Sequence, residues 1–169
     1  MCIRDSGTLV GINTSHPNKL VEEAILDGTI TQLSGYETLK REVKYGENSR
    51  IDILLTDDNK PDCYVEVKNV HLLREKGLIE FPDSVTARGA KHLGELANMV
   101  EAGHRAVMVY LVQREDGESL SFAADLDPNY AKAFEEATKR GVEAIAYECH
   151  LTTEEVLVTK SLPIRPKSA

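Results

Sequence analysis

Two short apolar runs, residues 50–55 (RIDILL) and 63–68 (CYVEVK), constrain the fold of this chain more than any other feature. Both contain β-branched residues, and the polar segment between them is typical of a turn, so the pair predicts a β-hairpin. With the turn centred at Asn59, Asp52 and Glu66 are equidistant from it and lie opposite each other. Opposed residues share a face of the sheet, which brings the two carboxylates together.

Lys68 joins this pair of acids because side chains alternate along a strand, so Glu66 and Lys68 project from the same face. Three charges on one face of an otherwise apolar hairpin are costly unless a metal ion or a substrate uses them. The same acid-x-Lys spacing occurs at residues 42–44 and 58–60, but only Glu66 has an acid at the mirrored position of the hairpin. We therefore predict a functional site at Asp52, Glu66 and Lys68.

Composition indicates one globular domain with a core, since 41% of the 169 residues are apolar and 28% are charged. No apolar run approaches the ~20 residues of a membrane span, and no signal-peptide pattern is present. The three cysteines form no C-x-x-C pair, and we expect Cys63 and Cys149 to be reduced core residues. The five histidines show no zinc-ligand spacing. These features predict a cytoplasmic protein with no membrane association.

The net charge of −8 weighs against a protein that grips a nucleic-acid backbone through overall charge. It is compatible with an acidic metal pocket that has a local basic rim, and also with a more basic segment outside this chain. The charge alone leaves both alternatives open.

Periodicity and turn signals predict helices that alternate with strands. Residues 106–112 (AVMVYLV) are continuously apolar, as expected of a strand buried on both faces. The predicted helices are residues 17–27, 86–102 and 128–140, and the predicted strands are residues 40–45, 50–55, 63–68, 106–112, 142–151 and 156–158.

This order predicts an α/β fold whose core is a helix, three strands, a helix and a strand. The fourth strand returns through a helical crossover, so we expect it to lie parallel to one of its neighbours. The result is a mixed central sheet flanked by helices, with a further helix and strand appended.

Five motifs follow one another along the chain: residues 10–14 (VGINT), 42–46 (EVKYG), 48–52 (NSRID), 63–70 (CYVEVKNV) and 81–93 (FPDSVTARGAKHL). Together with the order of elements, they resemble the PD-(D/E)XK nuclease superfamily and, more narrowly, the sugar fermentation stimulation protein A family. The resemblance covers about residues 9–163 and implies a restriction-endonuclease-like domain, DNA binding and a role in regulating sugar use.

The resemblance also sets expectations for the domain organisation. Residues 9–163 are expected to be the nuclease-like domain, and residues 164–169 a loose tail. Residues 1–8 fit nothing in the family and are interpreted as a foreign leader or a truncation remnant. Members of the family carry an N-terminal β-barrel domain of the oligonucleotide-binding type, which we expect to be missing here.

The predicted chemistry centres on a divalent cation. Asp52 and Glu66 supply hard oxygen ligands suited to Mg²⁺ or Mn²⁺, and the backbone carbonyl of Val67 is a natural additional ligand. Lys68 is expected to orient the attacking water or to hold the phosphate as a point charge. An acid from the first helix often completes such sites in the superfamily. Glu22 and Glu23 are both possible, and the resemblance favours Glu23; for either one the alternative is an exposed helix carboxylate.

Basic residues near the site are candidates for nucleic-acid contacts. Arg50 shares a strand face with Asp52, and its alternatives are a phosphate contact or an ion pair. Arg88, Lys91 and His92 lie within one turn of each other near the start of the second predicted helix. They predict a phosphate-contacting cluster, with a solvated helix face as the alternative and a structural role as the alternative for His92.

We therefore expect a DNA-binding protein with a PD-(D/E)XK nuclease-like domain that acts as a Mg²⁺-dependent phosphodiesterase. One alternative is a non-catalytic DNA-binding regulator of sugar-utilisation genes of the maltose type, and another is a hydrolase of small phosphoesters. The complete set of Asp52, Glu66 and Lys68 favours catalysis over binding alone, because binding does not require it. The chain has no glycine-rich phosphate loop, which counts against the small phosphoester.

Overall fold

The computed structural model describes residues 2–5, 7–11 and 17–165. In order along these residues, the strands and helices are β1 (Cys2–Asp5), β2 (Thr8–Gly11), α1 (Pro17–Leu26), β3 (Thr38–Tyr45), β4 (Ser49–Asp57), β5 (Lys60–Val70), β6 (Leu72–Glu75), β7 (Gly77–Phe81), α2 (Ala87–Glu101), β8 (Arg105–Val112), β9 (Gly117–Phe122), α3 (Pro128–Lys139), β10 (Glu143–Leu151) and β11 (Val156–Leu162). A short 3₁₀ helix, Thr31–Leu33, follows α1.

A six-stranded sheet in the order β11-β10-β8-β5-β4-β3 forms the centre of the molecule. Strands β5, β8 and β10 run parallel, whereas β3, β4 and β11 pair antiparallel with their neighbours. The α/β class, the mixed sheet and the parallel return of the fourth predicted strand are thus confirmed. Helix α2 lies between β5 and β8 in the chain and forms part of the crossover that parallel strands need.

Strand β8 separates two apolar clusters, because its side chains alternate between the two faces of the sheet. Val107, Val109 and Leu111 pack in a first cluster with α1, and Met108 and Tyr110 pack in a second cluster with α2 and α3. Seven of the eight residues of β8 are buried, as the continuous apolar run predicts.

Helix boundaries follow local capping signals. The Thr86 hydroxyl accepts a hydrogen bond from the Gly89 N–H at the start of α2. Asp127 does the same for Tyr130 at the start of α3. Gly28, with φ of 84°, follows the end of α1 in a conformation that few other residues adopt.

The register of the β4–β5 hairpin agrees with the sequence prediction. Ile53 pairs with Val65 and Leu55 with Cys63, so positions equidistant from Asn59 are opposed. The strands are longer than predicted, and the turn is correspondingly tighter, because Asp57 already pairs with Lys60 after a bulge.

A separate sheet of three short strands, β6, β7 and β9, was not predicted from the sequence. Its strands have four to six residues and mixed polarity, so they carry little periodic signal. Buried Ile79 and Leu120 join this sheet to the second apolar cluster.

The first and last described segments both make backbone contacts. Strand β1, within the predicted leader of residues 1–8, pairs with β2. Met1 and Ser6 lie outside the described residues, and the foreign origin of the leader stays a prediction. Ile164 forms a bridge with Leu120, and the Arg165 N–H donates to the Leu120 carbonyl. The predicted loose tail therefore includes two residues attached to β9, and its residues 166–169 lie outside the described part.

Cys63 and Cys149 are free and buried, as predicted. Burial raises the pKa of each thiol to about 12, which keeps both protonated at neutral pH. Within the ranges that the structure describes, no helix is both long and apolar enough to cross a membrane.

Replacing Leu96 by alanine is expected to lower the free energy of unfolding by about 2–5 kcal/mol, because this α2 side chain is fully buried and its loss leaves a cavity. Leu26→Ala, on α1, is the matched control, since Leu26 is 70% exposed. We expect the control to change stability by about 0.5 kcal/mol or less. Denaturant unfolding of both variants measures the difference, and equal losses would contradict the assigned packing of α2.

A candidate metal centre at a break in the sheet

The pairing of β4 with its two neighbours is interrupted at Asp52. Strand β3 pairs with β4 at Ile53 and again at Ile51, but Glu42 and Asp52 between them do not pair. On the other side, the ladder with β5 ends at Ile53. Glu42 has a φ of 55°, a left-handed conformation that is uncommon for residues other than glycine. A local opening in the sheet therefore surrounds Asp52.

The strands also change the face that they bury at this break. On β3 and β4, the odd-numbered residues pack in the first apolar cluster on one side of the break and in the second apolar cluster on the other side. The first cluster takes Leu39, Ile53 and Leu55, whereas the second takes Val43, Tyr45 and Ile51. The β3–β4 turn is thereby directed towards the side of α2.

The Asp52 carboxylate occupies the opening. The Val67 N–H donates to Asp52 Oδ2 at 2.7 Å, so the side chain takes the place of a strand-to-strand hydrogen bond. Asn18 Nδ2, in the first turn of α1, donates to Asp52 Oδ1 at 2.8 Å. Sequence reasoning missed Asn18, because no local pattern connects it with a strand 34 positions away.

Glu66 lies beside Asp52 and is almost completely buried. Its Oε1 accepts from Lys68 Nζ at 2.7 Å and contacts His92 Nδ1 at 2.6 Å. His92 Nε2 in turn accepts from Arg88 Nε at 3.3 Å. Glu66 Oε2 is buried and has no hydrogen-bond partner among the described residues, so one strong acceptor in this site is left unused by them.

An open cleft of about 600 Å³ is lined by the charged groups of this site. Its lining includes most of the predicted site residues, together with two that were missed, Glu42 and Asn48. Glu42 had a detectable signal, since it and Asp52 are equidistant from Glu47 in the preceding hairpin. The lining residues are Glu42, Asn48, Arg50, Asp52, Glu66, Val67, Lys68, Arg88 and His92.

Two predicted site residues lie elsewhere. Glu23 is 55% exposed and forms an ion pair with Lys19 at 3.5 Å, so the structure does not bring it to the cleft as a ligand. The apolar stripe of α1 faces the core, and this orientation directs Glu23 towards solvent. Lys91 lies at the rim, where its Nζ donates to the Glu47 carbonyl at 3.3 Å and is 3.5 Å from Glu95 Oε1.

The two central carboxylates differ in pKa. Burial and the charge of Glu66 raise the pKa of Asp52, although the hydrogen bonds from Val67 and Asn18 oppose the shift. Burial alone would also raise the pKa of Glu66, but His92 and Lys68 outweigh it and lower the pKa. Asp52 is therefore the member of the pair whose charge is less well compensated.

The donor set fits a hard divalent cation. A cation would satisfy Glu66 Oε2 and would neutralise the charge of Asp52, the two deficits of this site. Among the described residues, no three Asp, Glu, His or Cys side chains are grouped as metal ligands. The cation would thus need the Val67 carbonyl, water or substrate oxygens as well, which is how Mg²⁺ is commonly bound.

Comparisons with known proteins agree with this architecture. A family model described as the sugar fermentation stimulation protein RE domain matches residues 15–155. The sugar fermentation stimulation protein homolog of Agrobacterium fabrum is 58% identical over 157 residues, which are 93% of this chain and 66% of that protein. The homolog of Brucella ovis is 56% identical over 162 residues, which are 96% and 68% of the two chains.

A solved structure of SfsA from Pyrococcus furiosus in complex with Ca²⁺ is similar with a TM-score of 0.87 and 28% identity. The match covers 97% of this chain and 70% of that one. The chain spans about two thirds of the length of the curated relatives described above.

Asp52→Asn is expected to raise the melting temperature at neutral pH, by about 2–4 °C for each kcal/mol gained, because it removes a poorly compensated, partly buried charge. A raised pKa means that the folded parent loses stability as the pH rises from the ordinary Asp pKa through the folded-state pKa. The gain should therefore be present above this window and absent below it. Thermal melts against pH measure it, with the exposed Asp58→Asn as control; a gain that does not depend on pH would contradict the assignment.

Proposed function

The chain belongs to the sugar fermentation stimulation protein family, and we propose that its cleft binds DNA and hydrolyses phosphodiester bonds with Mg²⁺ or Mn²⁺. The observation that carries this proposal is the pair of carboxylates at the sheet break, with Lys68 beside them in an open polar cleft. Binding of DNA alone would not require two adjacent acids, one buried and one partly buried, whose repulsion and burial are costly.

Asp52, Glu66 and the Val67 carbonyl are the groups that would hold the cation. When bound, such a cation lowers the pKa of a coordinated water and neutralises charge on the scissile phosphate. The relative from Pyrococcus furiosus, solved in complex with Ca²⁺, supports a hard divalent cation in this family. Ca²⁺ and Mg²⁺ both prefer oxygen ligands, but Mg²⁺ requires a more regular geometry.

Lys68 has the position of a group that acts on the substrate. Its Nζ is held 2.7 Å from Glu66 Oε1, and its side chain is 19% exposed in the cleft. A partly exposed ammonium in this place can hold a non-bridging phosphate oxygen or orient the attacking water. The ion pair with Glu66 fixes the distance between the Lys68 ammonium group and a carboxylate that would hold the cation.

A local basic rim provides the contact with DNA in this proposal. A second groove of about 360 Å³ adjoins the cleft and shares Asn48 and Arg50 with it. Lys44 lines this groove and is the strand partner of Arg50, and Arg88 lines the cleft itself. The net charge of −8 is a sum over the whole chain, so it does not oppose a basic path at this position.

The decisive experiment is cleavage of labelled single- and double-stranded DNA with Mg²⁺ or Mn²⁺. Glu66→Gln and Lys68→Ala should each lower the rate by about 10²-fold or more, since each removes a group that acts at the reacting phosphate. Glu23→Gln is the matched control and should cut at the parent rate, because Glu23 is an exposed carboxylate outside the cleft. DNA binding without cutting, with either metal, would instead favour the non-catalytic regulator.

The basic path predicts a change in the salt dependence of DNA binding. Lys44→Gln should weaken binding about equally for all sequences and reduce the slope of log affinity against log salt by about 1, because one phosphate contact is lost. Lys139→Gln, at the exposed end of α3, removes the same charge outside the path and should leave the slope unchanged. Fluorescence anisotropy in EDTA measures both, and equal slopes for the two variants would contradict the path.

A further inference from the structure

A continuous chain of three side chains in the cleft connects exposed Arg88 with buried Glu66. Arg88 Nε donates to His92 Nε2 at 3.3 Å, and His92 Nδ1 contacts Glu66 Oε1 at 2.6 Å. Arg88 and His92 are four positions apart and lie one turn from each other on α2, so the helix itself fixes their spacing.

The direction of these hydrogen bonds follows from chemistry. A guanidinium has only donors, so the proton between Arg88 and His92 belongs to Arg88, and His92 Nε2 is the acceptor. The proton of a neutral imidazole must then be on Nδ1, which donates it to Glu66. Arg88 thereby selects the tautomer that can bind Glu66.

The burial of each residue separates their roles. His92 is only 5% exposed and both of its ring nitrogens are occupied, so it is poorly placed to contact a phosphate directly. Arg88 is exposed, and its terminal amino groups make no hydrogen bond with the other described residues. Of the two, Arg88 is the residue that a phosphate in the cleft would reach.

We propose that His92 is a positioning residue that couples phosphate binding at Arg88 to cation binding at Glu66. His92 and Lys68 both occupy Glu66 Oε1, which leaves Oε2 free for the cation. A phosphate that holds the Arg88 guanidinium also holds His92, and through it the orientation of Glu66. Coupling of this kind is reciprocal, so a bound cation strengthens phosphate binding by the same factor. This inference rests on the proposed function, since it concerns the same cleft.

The tautomer is tested first, in the protein without metal or DNA. Long-range ¹H–¹⁵N NMR spectra of labelled protein at neutral pH should show His92 protonated on Nδ1 and not on Nε2. Protonation of Nε2, in either the neutral or the charged ring, would overturn the proposal. This result does not depend on whether the protein cuts DNA.

The second test is the Ca²⁺ affinity, measured by calorimetry. His92→Leu should weaken binding by about 10–100-fold, the usual effect of removing a residue that orients a metal ligand. His92→Asn should restore most of the affinity, because its amide can donate from the place of Nδ1. His150→Asn is the matched control, since His150 also contacts a glutamate through Nδ1 but lies outside the cleft.

Parent-like Ca²⁺ affinity in folded His92→Leu, or a loss that His92→Asn does not restore, would overturn the positioning role. A parent protein that binds no Ca²⁺ while Nδ1 is protonated would instead overturn the proposed metal site, so the two failures are distinguishable.

The coupling itself is measured as the ratio of DNA affinities with and without Ca²⁺. Coupling between sites typically amounts to about 5–150-fold, and we expect a parent ratio within this range. The ratio should decrease in His92→Leu and in Arg88→Gln and should recover in His92→Asn. An unchanged ratio in the two variants would overturn the coupling.

Discussion

The interrupted backbone pairing at Asp52 is the constraint on which the rest of the site depends. In a regular sheet the Val67 N–H would bond to a strand carbonyl, but here it donates to the Asp52 carboxylate. A charged acceptor makes a stronger hydrogen bond than a neutral one, so the substitution preserves the contact between β4 and β5. The left-handed Glu42 on β3 accommodates the same opening from the other side. Strain of this kind persists only where the surrounding structure over-determines it, and it is common at functional sites.

The two carboxylates at the opening, buried Glu66 and partly buried Asp52, are compensated to different extents. Glu66 interacts with Lys68 and His92, and these two side chains lower its pKa despite its burial. Asp52 has a backbone and an amide donor, and its pKa remains raised. One oxygen of Glu66 stays without a partner. The fold therefore retains a local deficit of positive charge in an otherwise well-packed sheet, which is the usual trade-off between stability and a functional site.

The local distribution of charge makes the proposed nucleic-acid contact compatible with an acidic chain. The basic rim is assembled from the β3–β4 hairpin and from the first turns of α2, which lies much further along the chain. Charges act mainly within about 10 Å at moderate ionic strength. A small basic surface can therefore attract a phosphate backbone although the rest of the protein carries a net negative charge. The relatives from Agrobacterium fabrum and Brucella ovis extend beyond the length of this chain.

The sequence alone determined the hairpin register, the grouping of Asp52, Glu66 and Lys68 in one cleft, and the parallel return of β8. Each depends on period-two alternation, turn residues or chain connectivity, which act over short stretches of sequence. The central triad was therefore predictable, whereas the three-stranded sheet of β6, β7 and β9 was not, because its strands are too short to show a period.

Only the tertiary structure decided which other side chains meet the triad. Asn18 rather than Glu23 reaches Asp52, since the position and rotation of α1 on the sheet select the residue that faces the opening. His92 reaches Glu66 across 26 positions, because α2 packs on the face of the sheet from which Glu66 projects. Both choices depend on how helices pack on the sheet, a property of the whole core that no local pattern in the sequence encodes.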